Sequence, residues 1–110
     1  MTTVSKDAFL KGHLPEADIE VPEIGVIRIR GLSRSESLRT VDMDSDVREA
    51  QVLAWGIIEP ALTVEDAETW RSNATGGVVA AVVHEILLLS GMIDPPKAVV
   101  AAKRSFQEEH

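Results

Sequence analysis

The stretch "DIEVPEIGVIRIRG", Asp18 to Gly31, constrains the fold more than any other part of the chain. Ile19 and Val21 alternate with Asp18 and Glu20, and Ile27 and Ile29 alternate with Arg28 and Arg30. A period of two puts each apolar set on one face of a strand and each charged set on the other. Two such strands around a glycine-containing turn make a hairpin. Pairing Val21 with Ile27 sets Glu20 against Arg28 and Asp18 against Arg30, so opposite charges meet across the strands. That register leaves Glu23-Ile24-Gly25 as the loop. Two strands alone are barely stable, so helices must cover the apolar face.

The rest of the chain supplies those helices. Ser33 and Glu36 form a capping box that opens a helix over about 33–40. Val47, Ala50, Leu53, Ala54, Ile57 and Ile58 recur at helical spacing and predict a helix over about 46–56, ended by Gly56 and Pro60. Thr63 reads as the N-cap of a helix over 64–72, with Glu65 and Asp66 in its first turn. Asn73 to Gly77 reads as a flexible linker. A helix over 78–90 follows, stopped at Gly91, Pro95 and Pro96. A last amphipathic helix is expected over 97–107, with Val99, Ala102 and Phe106 on one side. Residues 1–17 show no sustained period and read as a flexible arm. The expected fold is therefore mainly α, of α+β class: an N-terminal two-stranded hairpin and about five short helices in a compact bundle.

Each motif with residue types suited to chemistry fails on spacing. Asp42, Asp44 and Asp46 in "TVDMDSDVREA" mimic the start of a calcium loop. Such a loop needs glycine at its sixth position and a bidentate glutamate at its twelfth. Val47 and Leu53 stand there instead, so the run reads as a solvated helix joint, with Asp46 and Glu49 capping the second helix. "HEILL" from His84 begins like H-E-x-x-H, but Leu88 replaces the second histidine. His84 and Glu85 read as the solvent or partner edge of an apolar helix. "ATGGVV" from Ala74 lacks the pattern of a phosphate loop, and no serine sits in G-x-S-x-G. The expectation is a protein that is not an enzyme, with no cofactor and no metal site.

Composition narrows the remaining classes. The 110 residues suit one domain, and the absence of cysteine fits a reducing compartment. A net charge of −7 weighs against nucleic-acid binding, because such a surface repels phosphate. The most apolar run, Val78 to Leu89, falls short of the roughly 20 residues a membrane span needs, and the N-terminus has no signal-peptide pattern. That run is nevertheless apolar almost all round. Either it is the central helix of the domain, or part of it faces another subunit or a bound helix. Trp55 and Trp70 carry the same two readings.

The order of segments resembles the tail assembly chaperones of long-tailed bacteriophages and their prophages. The similar pieces are "VPEIGVIRIRGLSRSE" (Val21 to Glu36), "VLAWGIIEPALTVEDAETW" (Val52 to Trp70), "EILLLSGM" (Glu85 to Met92) and "KRSF" (Lys103 to Phe106). The resemblance covers Val21 to Phe106 and implies one chaperone-like domain over 18–110. It implies a small, mostly helical protein without catalytic residues. Such a protein binds the helical tape-measure protein and helps recruit tail tube subunits. It self-associates, works in the host bacterial cytoplasm and is absent from the mature virion. The short joint Val41 to Asp46 departs from the continuous helix the family leads one to expect. Val79, Val83, Ile86, Leu88, Val99 and Phe106 are the candidate partner-binding residues. A minor structural component of the virion, a tail connector or completion protein, is the alternative.

Overall fold

The alternating segment forms the hairpin, though in a different register. In the computed structural model, which describes residues 2–93, β1 (Glu16–Val21) pairs antiparallel with β2 (Gly25–Arg30). Ile19 lies opposite Ile27, Asp18 opposite Arg28 and Glu16 opposite Arg30. The expected pairing of Val21 with Ile27 is thus shifted by two residues, which keeps every side chain on its expected face. Pro22 explains the shift. In the expected register it would occupy a ladder position while having no N–H to donate. Here it takes the second place of a turn closed by Ile24 N donating to Val21 O at 3.0 Å. Glu23 follows with φ 66, the left-handed value that a type II turn requires at its third place.

A third strand extends the sheet. The 46–56 helix is observed as α3 (Ser45–Gly56), and the chain then runs straight into β3 (Ile57–Glu59), which pairs antiparallel with β2. The sheet order is β1-β2-β3. Ile57 and Ile58, expected on the apolar face of the helix, belong to this strand; Val47, expected on the same face, is exposed. Adjacent isoleucines carry no alternation, so the pattern did not separate a short buried strand from a helix end. A bulge between Arg28 and Ile29 fits β3 to its neighbour.

The helices cover the sheet as expected, with shifted ends. α1 (Lys6–Lys11) lies within the segment read as an arm; Ser5 caps it and none of its residues is buried. α2 is Arg34–Thr40, with both hydrogen bonds of the Ser33–Glu36 capping box present. α4 is Val64–Asn73, and Thr63 and Asp66 form a second capping box. α5 is Gly76–Leu89, capped by Thr75, so Gly76 and Gly77 form its first turn rather than a linker. The molecule is mainly helical and of α+β class. The helix expected over 97–107 lies outside the described residues.

One core joins these elements. Val21, Ile27, Ile29 and Ile57 from the sheet meet Ala50, Val52 and Leu53 of α3, Ala67 of α4, and Val79, Val82 and Ile86 of α5. Each large aliphatic side chain taken from water here stabilises the fold by roughly 1.5–3 kcal/mol. Two glycines set how closely the layers approach. A Cβ on Gly56 would stand 2.5 Å from Ile86 Cδ1, and one on Gly31 would stand 2.6 Å from the Leu89 carbonyl oxygen. Gly56 therefore does more than end a helix; it lets α3 and α5 touch.

The aspartate run is a helix joint with its own clamp. Arg48 Nε donates to Thr40 O at 2.9 Å, and its Nη2 donates to Val41 O and Met43 O at 3.1 Å each. One cation thus satisfies three carbonyls at the end of α2, where the helix dipole favours it. Asp44, not Asp46, is the N-cap residue of α3, and its side chain makes no capping bond. Asp46 Oδ1 accepts from Val47 N, and Glu49 accepts from Arg71 Nε of α4 at 2.8 Å. The expected Asp46–Glu49 cap is replaced by these contacts.

Candidate partner-binding surface

α5 decides what the molecule can present to a partner. Only Val79, Val82 and Ile86 of this helix are buried. They recur at three- and four-residue spacing and form the stripe that faces the sheet and α3. Val78, Val83, Leu87, Leu88 and Leu89 are half-buried, and Ala80, Ala81, His84 and Glu85 are exposed. The helix is therefore apolar on faces that its own domain covers only in part. His84 and Glu85 do mark a solvent edge, as their sequence context implied.

The predicted site residues divide accordingly. Val79 is 3 % exposed and Ile86 fully buried, so both serve the core and offer no contact surface in this conformation. Val83 and Leu88 are half-buried and accessible. They do not share a face: Val83 aligns with Leu87, whereas Leu88 aligns with Ala81 about two turns before it. Val99 and Phe106 lie outside the described residues.

Two open grooves flank the buried stripe. One, of about 360 Å³, runs between α5 and the joint of α2 with α3; Val83, Leu87, Met92, Val41 and Val52 give it apolar walls. The other, of about 460 Å³, runs between β1 and α5, with Ile19, Val21, Val78, Ala81 and Val82 as its walls and Glu20 and Glu85 on its rim. A smaller apolar pocket of about 160 Å³ lies at the hairpin tip between Ile24, Leu62 and Trp70. Half-buried Trp70 thus stands at the edge of the core.

Local geometry builds the first groove. Gly91, at φ 71, ends α5 in a Schellman motif: Gly91 N donates to Leu88 O at 3.1 Å and Met92 N to Leu87 O at 3.0 Å. That reversal returns Met92 beside Leu87. Ser37 Oγ stands 3.2 Å from Met92 Sδ, which joins α2 to the same wall. Ser90 Oγ donates to Ile86 O at 2.6 Å and accepts from Leu32 N at 2.7 Å, tying the end of α5 to the start of α2. Sequence reasoning missed Leu87 and Met92. Their signal was present in the Ser-Gly-Met ending, because a glycine-ended helix pairs the residue after the glycine with one a turn earlier.

The strongest electrostatic feature near α2 is an ion pair. Arg30 Nη1 and Nη2 donate to the two carboxylate oxygens of Glu36 at 2.8 Å each. These bonds, with smaller help from Ser33, hold the Glu36 carboxyl down to about 2. The pair fastens β2 to α2 and lies away from both grooves. Among the described residues no group of three or more histidines, aspartates and glutamates is placed to hold a metal, and no helix is long and apolar enough to cross a membrane.

The chain matches no protein-family model, no curated protein and no solved structure.

Proposed function

We propose that this protein is a tail assembly chaperone of a long-tailed bacteriophage or prophage. It binds the tape-measure protein through an amphipathic helix and helps recruit tail tube subunits. The supporting observation is the partial cover of α5, whose Val83 and Leu87 line an open apolar groove with Met92. A helix lays its apolar face into such a groove, and a flexible methionine wall adapts to different side chains. The acidic surface keeps a chain with this much exposed aliphatic area in solution. The proposed site of action is the host cytoplasm, before the tail is complete, and the same apolar area favours self-association when no partner is bound.

Co-expression with the tape-measure protein of the same phage tests this reading. A soluble complex that co-purifies is expected, and Leu87→Glu is expected to abolish it while leaving the fold intact. A tape-measure protein that stays insoluble and alone contradicts it. So does recovery of the chain from purified virions, which would make it a structural component.

A further inference from the structure

The groove on the other side of α5 has a different character. β1 is an edge strand, bonded to β2 alone. Gly31 N donates to Pro15 O at 2.8 Å, which continues the ladder one step beyond Glu16–Arg30. By the alternation of an antiparallel pair, the odd-numbered residues of β1 exchange bonds with β2. The N–H and C=O groups of Asp18 and Glu20 then point to the open edge. Directly beneath that edge, α5 presents Gly77, Val78 and Ala81 as a low apolar floor.

The charge around this trough has one sign. Glu20 and Glu85 line it and no basic residue does. The adjoining hollow at the hairpin turn shares Pro22 and Val78 with it and adds Glu23. Among the described residues, none of these three glutamates makes a salt bridge; Arg28 is engaged by Glu16 and Asp18 instead.

We propose that the β1–α5 trough is a docking site for an extended segment of a partner protein in which apolar and basic residues alternate, added to the sheet as a fourth strand beside β1. Such a strand meets the unpaired backbone groups of Asp18 and Glu20, places its apolar side chains over Val78 and Ala81, and sets its cations on the outer face of the sheet beside Glu20, while Glu85 in the trough adds to the same negative field. β2 already shows the chemistry on the opposite edge of β1: its Ile27, Arg28, Ile29 and Arg30 alternate in the same way, and Arg28 reaches two acids of β1. A helix would bond its own backbone and leave the edge groups of β1 unmet. A second copy pairing β1 against β1 would set Glu16, Asp18 and Glu20 against the same acids, which like charges oppose. This site lies on the opposite side of α5 from the Leu87 groove and stands independently of the chaperone reading.

The test uses the full chain and a synthetic peptide of alternating lysine and valine, about as long as β1. Calorimetry is expected to show saturable binding that weakens with salt, and amide resonances of Asp18 and Glu20 are expected to shift. The double variant Glu20→Lys with Glu85→Lys is expected to bind about tenfold or more weakly, whereas Glu68→Lys, an exposed change on α4, leaves binding unaltered. Circular dichroism confirms that each variant folds. A peptide N-methylated at alternate residues keeps its charge and side chains but cannot donate to β1, and is expected not to bind. Absence of saturable binding overturns the site. Equal binding of the N-methylated peptide overturns strand addition, and equal binding of a glutamate–valine peptide overturns the charge rule.

Discussion

At the scale of single residues, four positions test how the fold is built. Gly31 faces the backbone of Leu89 and Gly56 faces the side chain of Ile86. Backbone cannot retreat, whereas an isoleucine can be shortened. Gly31→Ala is therefore expected to cost about 2–3 kcal/mol, and Gly56→Ala about 1–3 kcal/mol, by denaturant unfolding. Ile86→Val should recover part of the Gly56→Ala loss but none of the Gly31→Ala loss. A double-mutant cycle checks this difference. Gly77 has open space where its Cβ would stand, in the first turn of α5. Gly77→Ala is thus expected to stabilise the fold by roughly 0.5–1 kcal/mol. Arg48 is the fourth: truncation to alanine removes three hydrogen bonds, but Thr40 O keeps Met43 N and water reaches the two exposed carbonyls, so the change should cost about 0.5–1.5 kcal/mol, read from the same unfolding curves.

At the scale of elements, the junction of β2 with α2 makes stability depend on acid. In the unfolded chain Glu36 protonates near its ordinary 4.5; in the fold it stays ionised down to about 2. The folded state thus favours the charged form. The contribution is complete above 4.5 and is lost as pH falls toward 2. Screening at a partly exposed pair keeps it to roughly 1–2 kcal/mol. Glu36→Gln should remove that share of the acid dependence, which urea titrations at several pH values will measure. Much of this architecture was legible beforehand. The capping box at Ser33, the N-cap at Thr63 and the alternation of β1 and β2 are local signals, and they placed α2, α4 and the hairpin faces. The register was not legible, because a shift of two residues leaves the faces unchanged and only the lost donor of Pro22 decides between the two. β3 was hidden because Ile57 and Ile58 fit a helix end as well as a strand. The first turn of α5 was hidden because two glycines outweigh the Thr75 cap in any reading by propensity.

At the scale of the whole molecule, α5 serves as both core and surface. Its buried stripe was not legible from spacing, because the helix is apolar almost all round, and which of its faces neighbouring elements leave open depends on the sheet edge and on Gly91, both set by tertiary structure. Val79 and Ile86 looked as available as Val83 and Leu88 for that reason. The two grooves beside the stripe differ in a way that separates their partners: one has a methionine wall and carries both Arg48 and Glu49, the other carries Glu20 and Glu85 with no cation. Leu87→Glu and the Glu20→Lys, Glu85→Lys pair should therefore impair binding independently of each other. The most direct measurement is co-purification of the tape-measure protein of the same phage with the wild-type chain and with Leu87→Glu, scored together with the solubility of the tape-measure protein. Chaperone action through the Leu87 groove predicts a soluble complex with the wild type and insoluble tape-measure protein with the variant. Equal recovery with both chains, or with neither, would contradict it.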